Sequence, residues 1–138
     1  MARRRVLILC TGNSTRSQMA EGLLRRMAGD RFEVFSAGTR PAGLNPNAVT
    51  AMAEIGVDIS GHRSKSVDEF EGQQFDYVIT VCDNAKESCP VLPGAGRRIH
   101  HSFEDPSAVP AGQQLRLLRK LRDEMSGWLR EFVRGVPD

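Results

Sequence analysis

Cysteine, tyrosine, tryptophan and long apolar runs are all scarce in this sequence of 138 residues. Its three cysteines are an odd number, which argues against a framework of structural disulfides, and none are spaced closely enough to indicate a zinc site. No stretch approaches the roughly 18 apolar residues of a membrane span, and the run Val6–Leu9 is too short for a signal peptide. We therefore expect a cytoplasmic protein without membrane attachment.

A large excess of charge of either sign is also absent. Nineteen basic residues against 17 acidic ones give a net charge of +2, so no strong field would attract nucleic acid. Arginine outnumbers lysine 16 to 3, and the planar guanidinium group suits the binding of oxyanions. The length fits one domain over residues 1–138, which we expect to be a monomer.

Short apolar runs alternate with amphipathic segments along the chain. Strands are predicted at 5–9, 32–36, 75–81 and 97–100, and helices at 15–28, from 45 to 56 and over the last 25 residues. This order predicts an α/β fold: a four-stranded parallel sheet with right-handed crossovers and helices on both faces. Cys10, Ser36 and Cys82 lie at the carboxyl ends of strands, so one edge of the sheet should gather them where such folds bind ligands.

The stretch CTGNSTRS, Cys10–Ser17, joins the first strand to the first helix. Backbone amides and the helix dipole bind anions in such a loop, where Gly12 leaves room and Asn13 tolerates left-handed backbone. Arg16 can hold two oxygens of a tetrahedral anion, and the same field favours a thiolate. The pattern predicts a nucleophile for in-line attack on phosphorus or arsenic; the alternative is a buried, inert thiol. The predicted oxyanion-binding residues are Thr11, Gly12, Asn13, Ser14, Thr15, Arg16 and Ser17.

CTGNSTRS resembles the phosphate-binding loop of low-molecular-weight protein tyrosine phosphatases and, more closely, that of thioredoxin-coupled arsenate reductases. The similarity continues in SAGT at Ser36–Thr39, in DIS at Asp58–Ser60, in VCDNAKESCPVLPG at Val81–Gly94 and in the Asp-Pro pair at 105 and 106. The resemblance covers most of the chain. It implies the low-molecular-weight phosphatase-like fold and the reduction of arsenate to arsenite.

The resemblance further implies a relay of three cysteines. Cys10 attacks arsenate held by Arg16 and the loop amides, while Asp105 acts as general acid. Cys82 then attacks Cys10 and arsenite leaves. Cys89 resolves the Cys10–Cys82 disulfide, and thioredoxin, the expected electron donor, reduces the resulting Cys82–Cys89 bond. No bound cofactor is implied, and phosphate and sulfate should compete with arsenate.

Some of these roles have other interpretations. Asp-Pro is a common turn opener, so Asp105 could mark only a turn, and Glu104 is the rival acid. Cys82 and Cys89 could be incidental thiols. If the segment between them is helical, their Cα atoms lie roughly 10 Å apart at 1.5 Å per residue. A disulfide tolerates at most about 7 Å, so the bond requires this segment to unwind.

The chain departs from the tyrosine phosphatases at one place and from some of the reductases at another. Tyrosine phosphatases of this fold follow Asp-Pro with tyrosines, whereas Ser107, Ala108 and Val109 stand here. Their absence weakens a role on phosphotyrosine, although slow hydrolysis of an unhindered aryl phosphate is expected. The single tyrosine, Tyr77, lies in a predicted strand.

The second departure concerns a potassium ion that some reductases of this family hold beside the loop, with ligands matching Asn13, Glu21, Ser36 and a carboxylate where this chain has Lys65. Because two cations cannot comfortably share one pocket, we hypothesise that Lys65 replaces the ion and pairs with Glu21. The alternative is a solvated surface lysine. No metal site is predicted, and the histidines, without metal-ligand spacing, are expected on the surface. They are His62, His100 and His101.

Two other functions remain open. One is a low-molecular-weight phosphatase that acts on small phosphoesters, and the other is a noncatalytic oxyanion-binding or redox-sensing module. A related variant would resolve the first adduct with glutaredoxin or mycothiol. Replacing Cys89 with serine separates the first two activities, because a phosphatase keeps its turnover while the reductase stops cycling.

Overall fold

The computed structural model describes residues 3–82 and 95–137 of the chain. The strands in these ranges are β1 (Arg4–Cys10), β2 (Phe32–Gly38), β3 (Phe75–Thr80) and β4 (Ala95–His100). The α-helices are α1 (Arg16–Ala28), α2 (Pro46–Ala53) and α3 (Ala111–Gly135). Two short 3-10 helices span Val67–Phe70 and Pro106–Ala108.

The four strands form one parallel sheet in the order β2-β1-β3-β4, which confirms the predicted topology. Val6–Leu9 of the inner strand β1 are fully buried. A strand covered on both faces reads as a continuous apolar run instead of an alternating one, as VLIL does here. The pairing of β1 with β2 continues to Cys10 and Gly38, two residues beyond the predicted end of the second strand.

Helical elements cover both faces of the sheet. Phe132 of α3 packs against Phe32 and Tyr77, with ring centroids 5.7 and 5.2 Å apart. Phe70 of the first 3-10 helix packs against Phe35 at 5.6 Å. Because successive strand residues point to opposite faces, Phe32 and Phe35 place α3 and this 3-10 helix on opposite sides of the sheet.

The predicted C-terminal amphipathic helix is present as α3, and it buries Leu118, Leu121 and Met125 completely. Trp128 is only half-buried, and its ring stacks on His101 at 5.1 Å. None of the helices in the described ranges is both long and apolar enough to cross a membrane.

The sheet brings the ends of β1 and β3 together. Leu9 pairs with Thr80, and the amide of Val81 donates to the Leu9 carbonyl at 2.9 Å. Cys10 and Cys82, which lie at or just after these strand ends, are therefore at the same carboxyl edge of the sheet. Any site that uses both thiols is positioned by this register.

Candidate active site

The loop between β1 and α1 is held open by hydrogen bonds to its carbonyl oxygens. Four amides of segment 39–45 donate to it at 2.8–3.3 Å. The pairs are Thr39 to Cys10, Arg40 to Thr11, Ala42 to Gly12 and Asn45 to Ser14. A trans peptide directs its carbonyl and the following N–H to opposite sides, and the described backbone has no cis peptide. The amides that follow these carbonyls therefore point into the loop, as oxyanion binding requires.

The thiol of Cys10 lies at the bottom of this ring of amides and is 2% exposed. The Asn13 amide donates to its Sγ at 3.2 Å, and Ser17 Oγ lies 2.9 Å from the same sulfur. Because Ser17 Oγ already accepts from Asn13 Nδ2 at 2.8 Å, its own proton can point at the sulfur. Two donors therefore face the sulfur, an arrangement that fits a nucleophile better than an inert thiol.

Asn13 holds the shape of the loop. It is fully buried and has a φ of 45°, the one positive φ outside glycine in the part of the chain that the structure describes. Its Oδ1 accepts from the Lys65 amide at 2.9 Å and from Gln18 Nε2 at 3.0 Å, and its Nδ2 donates to Ser36 Oγ at 3.0 Å. Ser36 in turn donates to Glu21 Oε1 at 2.5 Å. These bonds offset the cost of the left-handed backbone and fix it in place.

Glu21 is a buried carboxylate surrounded by three basic side chains. Its Oε2 lies 2.7 Å from Arg25 NH2 and 3.7 Å from His62 Nε2, and its Oε1 lies 3.9 Å from Lys65 Nζ. Burial lowers the pKa of both His62 and Lys65, while the negative charge of Glu21 opposes the shift. The Lys65 side chain is 14% exposed, so it is not the solvated surface lysine of the alternative interpretation.

The expectation that His62 lies on the surface is wrong. Its side chain is 14% exposed, and Nδ1 lies 3.0 Å from Gln18 Oε1. His62 therefore fills the space between α1 and the segment that leads to Lys65. No apolar periodicity marks this burial in the sequence, because it depends on polar partners on α1.

Arg16 and Asp105 face each other across the mouth of the loop. Arg16 NH1 donates to the Phe103 carbonyl at 3.1 Å, and NH2 lies 3.8 Å from Asp105 Oδ1. The same Oδ1 accepts from the amide and hydroxyl of Ser107 at 2.9 and 2.8 Å. Partial burial opposes ionisation of Asp105, but the Ser107 hydrogen bonds and the Arg16 charge outweigh it and lower its pKa. Asp105 thus opens a turn and also reaches the site.

A cavity of about 320 Å³ lies above the Cys10 loop. Its walls are the loop, Arg16, the segment 105–107 and the first turn of α3, where Gln114 contributes. Both acids are exposed, but Asp105 lines this cavity whereas the rival acid Glu104 does not. No aromatic side chain is among the described residues that line it. The cavity suits a tetrahedral anion that carries a hydroxyl or another small substituent.

Cys82 lies beside this loop, two residues after the end of β3, and is 3% exposed. Its Sγ is 3.3 Å from Oγ1 of Thr11, the residue that follows Cys10. Cys89, the third cysteine, lies outside the described residues. The structure therefore places the first predicted resolving thiol in contact with Thr11, the residue next to the predicted nucleophile.

Several residues that support the site were not identified from the sequence. Gly38 allows β2 to approach the loop, since a Cβ there would lie 2.5 Å from the Thr11 carbonyl oxygen. Ser64 Oγ donates to the Gly12 carbonyl at 3.0 Å, and Gln114 and Asn45 connect α3 with α2 beside the cavity. Of these residues only Gly38 lies in a motif noted in the sequence, SAGT, and that motif does not show that the glycine is needed for close contact with the loop. In residues 3–82 and 95–137, no three His, Cys, Asp or Glu side chains group as metal ligands would.

Comparisons with known proteins agree with this geometry. The family model for the low molecular weight phosphotyrosine protein phosphatase matches residues 5–107. The arsenate reductase of Bacillus subtilis is 42% identical over 130 residues, which cover 93% of this chain and 94% of that protein. A solved structure of an arsenate reductase in the phosphate binding state has a TM-score of 0.81 at 28% identity, covering 97% of this chain and 99% of that one. The thioredoxin-dependent arsenate reductase of Corynebacterium glutamicum has a TM-score of 0.76 at 30% identity, covering 96% of this chain and 61% of that one.

Proposed function

The chain belongs to the low molecular weight phosphotyrosine protein phosphatase family, and from this membership and the geometry of its site we propose that it is a thioredoxin-coupled arsenate reductase with a three-cysteine relay. The observation that carries the proposal is the place of Cys82, whose Sγ lies 3.3 Å from Thr11 Oγ1 in the nucleophile loop. Phosphoester hydrolysis needs only one thiol, an arginine and an acid. Reduction by two electrons without flavin or metal needs a second thiol, and the contact of Cys82 with the residue next to Cys10 supports this role for it.

In the first step the Cys10 thiolate attacks arsenic in line with a departing oxygen. A sulfur–arsenic bond forms and an arsenic–oxygen bond breaks, while Arg16 and the inward-pointing amides bind the remaining oxygens. Asp105 donates a proton to the departing oxygen, which leaves as water. Phosphate and sulfate have the same tetrahedral shape and should compete with arsenate for this loop.

The low pKa of Asp105 in the resting site means that it is ionised there at neutral pH. A bound oxyanion changes this balance, because its negative charge pairs with Arg16 and repels the carboxylate. Both effects favour protonation of Asp105 when substrate is present. The acid is therefore prepared by the substrate itself, and the proton can come from the acidic hydroxyl of arsenate.

In the second step the Cys82 thiolate attacks Sγ of Cys10. The new disulfide forms as the sulfur–arsenic bond breaks, its electron pair stays on arsenic, and arsenite leaves as the reduced product. The Cys89 thiolate then attacks Cys82, which forms the Cys82–Cys89 disulfide and returns Cys10 as a thiolate. A thioredoxin dithiol reduces that disulfide by exchange, so two electrons enter for each arsenate.

We propose that this chain does not use potassium. Glu21, which would be a ligand of the ion, already lies 2.7 Å from Arg25 NH2 and 3.9 Å from Lys65 Nζ. A further cation would meet two positive charges in a buried pocket, so the residues present do not fit the ion. In its place, the Lys65 ammonium balances Glu21 and thereby supports Ser36 and Asn13.

The proposal is tested by following NADPH oxidation with thioredoxin, thioredoxin reductase and arsenate. Wild-type protein should oxidise one NADPH for each arsenite formed, and Cys→Ser variants at 10, 82 and 89 should each abolish steady-state turnover. Protection of the Cys10 thiol from iodoacetamide by phosphate controls for an intact loop, and it should persist in the variants at 82 and 89. Steady-state arsenate reduction by the Cys82→Ser protein would show that the relay is wrong.

A second candidate is a phosphatase that acts on small phosphoesters, which the family match favours. Slow hydrolysis of p-nitrophenyl phosphate is expected as a side activity because a loop that binds arsenate should also bind the tetrahedral phosphate group. If wild-type protein hydrolyses this ester but shows no arsenate-dependent NADPH oxidation, the phosphatase is the better assignment. The lack of aromatic residues in the described cavity lining argues against phosphotyrosine as its substrate.

A further inference from the structure

Gln114 lies on the first turn of α3 and connects separate parts of the active site. Its Nε2 donates to the carbonyl of Pro106, the residue that follows Asp105, at 3.2 Å. Its Oε1 accepts from the side-chain amides of Asn45 and Asn47, each at 2.9 Å. One side chain therefore joins the acid-bearing segment to the start of α2.

The hydrogen bonds of Asn45 fix which way the Gln114 amide points. Asn45 Oδ1 accepts from the backbone amide of Asn47 at 2.9 Å, so its other terminus is Nδ2, which donates to Gln114 and to Thr15 Oγ1. Turning the Gln114 amide over would place its NH2 against two other NH2 groups. It would also place its oxygen against the Pro106 carbonyl. Gln114 Nε2 is therefore the atom that donates to the Pro106 carbonyl, next to Asp105.

The same chain of bonds reaches the oxyanion loop. Asn45 Nδ2 donates to Thr15 Oγ1 at 2.9 Å, and the Asn45 amide donates to the Ser14 carbonyl at 3.0 Å. Asn45 and Gln114 thus connect the loop that binds the substrate oxygens with the segment that carries the acid. This connection therefore contributes to the separation between the two.

A second connection between these parts is Arg16, which donates to the Phe103 carbonyl at 3.1 Å and lies 3.8 Å from Asp105. We expect an oxyanion that enters the loop to compete for the Arg16 guanidinium with the Phe103 carbonyl and Asp105, because a charged acceptor binds it more strongly than a neutral carbonyl does. The segment that carries Asp105 then loses contacts with Arg16 during the step in which Asp105 must donate its proton. The bond from Gln114 to Pro106 does not depend on Arg16.

We propose that Gln114 is a positioning residue that holds Asp105 over the departing oxygen while Arg16 binds the oxyanion. This inference rests on the proposed function, because it takes Asp105 as the acid of that reaction. Gln114 does not touch the substrate in this assignment. It acts through the backbone of the segment 105–107.

The test compares Gln114→Glu, Gln114→Leu and a control, Gln113→Leu. Glutamate at 114 keeps the acceptor for both asparagines but places a carboxylate oxygen against the Pro106 carbonyl, and leucine removes both functions. In either variant kcat for arsenate should fall about 10- to 100-fold, while KM stays within about threefold. The reason is that a displacement of a catalytic group such as Asp105 by about 1 Å lowers the rate about 100-fold. Gln113 is the exposed neighbour on α3, and its variant should match wild type.

A double-variant cycle separates positioning from a general structural effect. If Gln114 acts through Asp105, Gln114→Glu should cost no more than about twofold in the background of Asp105→Asn. A further loss of tenfold or more in that background, or unchanged kcat in both Gln114 variants, would overturn the proposal. Wild-type protein with no arsenate turnover would instead refute the proposed function.

Amide hydrogen exchange gives a readout that does not depend on turnover. The Ser107 amide bonds to Asp105 Oδ1 at 2.9 Å and reports on the order of the acid segment. Its exchange should be at least about tenfold faster in Gln114→Glu than in wild type, and unchanged in Gln113→Leu. Equal Ser107 protection in all three proteins would overturn the assignment of Gln114 even if the enzyme proved to be a phosphatase.

Discussion

Replacing Gly38 with alanine should disturb the Cys10 loop without altering any side chain that takes part in the chemistry. The added Cβ would lie 2.5 Å from the Thr11 carbonyl oxygen, 2.8 Å from the Asn13 amide nitrogen and 3.0 Å from the Asn13 Cβ. Two of these atoms belong to the backbone and cannot rotate away. Because ordinary contact begins near 3.4 Å, the loop must move by about 0.9 Å relative to β2.

The size of the effect follows from this displacement. Forcing one extra methyl group into packed backbone costs about 1–3 kcal/mol in the free energy of unfolding. A shift near 1 Å in a loop that aligns the nucleophile with bound anion lowers kcat about 100-fold. The Thr11 carbonyl also accepts from the Arg40 amide at 2.8 Å, so the shift strains the bond that turns this carbonyl outward.

The assays are urea denaturation, arsenate turnover and protection of Cys10 from iodoacetamide by phosphate. Gly61→Ala is the matched control, because a Cβ at Gly61 has no atom within 4 Å, and this variant should stay within about 0.5 kcal/mol of wild type. If Gly38→Ala equals wild type in unfolding free energy and in phosphate protection, close contact of the loop with β2 does not determine its shape. The loop would then tolerate a methyl group at position 38, contrary to the contact distances above.

Three further predictions follow from single side chains. Ser17→Ala should slow alkylation of Cys10 at pH 7 by about tenfold or more, because a hydrogen bond to a charged group contributes about 1.5–3 kcal/mol; an unchanged rate contradicts the role of this hydroxyl. Potassium should not stimulate wild-type turnover relative to sodium at equal ionic strength, whereas Lys65→Asp should gain potassium dependence; strong stimulation of the wild type would count against the lysine. The Arg119 hydrogen bond lowers the pKa of Glu54 to about 2. The contribution of this ion pair to the free energy of unfolding is therefore present above pH 4.5 and is lost as pH falls from 4.5 towards 2. Glu54→Gln should flatten that part of the stability profile, and equal slopes would show that the ion pair does not persist in solution.

The fold could be predicted because its signals are local. The apolar run Val6–Leu9 and the spacing of Leu118, Leu121 and Met125 reflect burial along a single element, and the structure has β1 and α3 there. The ends of helices and strands are predicted less accurately, because they depend on contacts with other parts of the chain. Ile55 has apolar spacing with the helix before it, but α2 ends at Ala53, and Ile55 as a whole residue is 37% exposed.

The Cys10 loop could also be read from the sequence, since its glycine, hydroxyls and arginine are contiguous. The groups that support it could not, because they come from distant segments. Gln114 and Asn45 are 69 positions apart, and a polar residue on a helix face has no periodicity that marks its partner. The burial of His62 is not visible in the sequence for the same reason, because it depends on Glu21 and Gln18 of α1.

The transfer from Cys10 to Cys82 is tested most directly by a single turnover of the Cys89→Ser protein. Reduced protein is mixed with excess arsenate in the absence of thioredoxin. The arsenite formed per chain is quantified, and disulfides are mapped by mass spectrometry. We predict one arsenite for each chain and a disulfide that joins Cys10 to Cys82. Absence of arsenite, or arsenite formed while Cys10 and Cys82 both remain reduced, would contradict the relay.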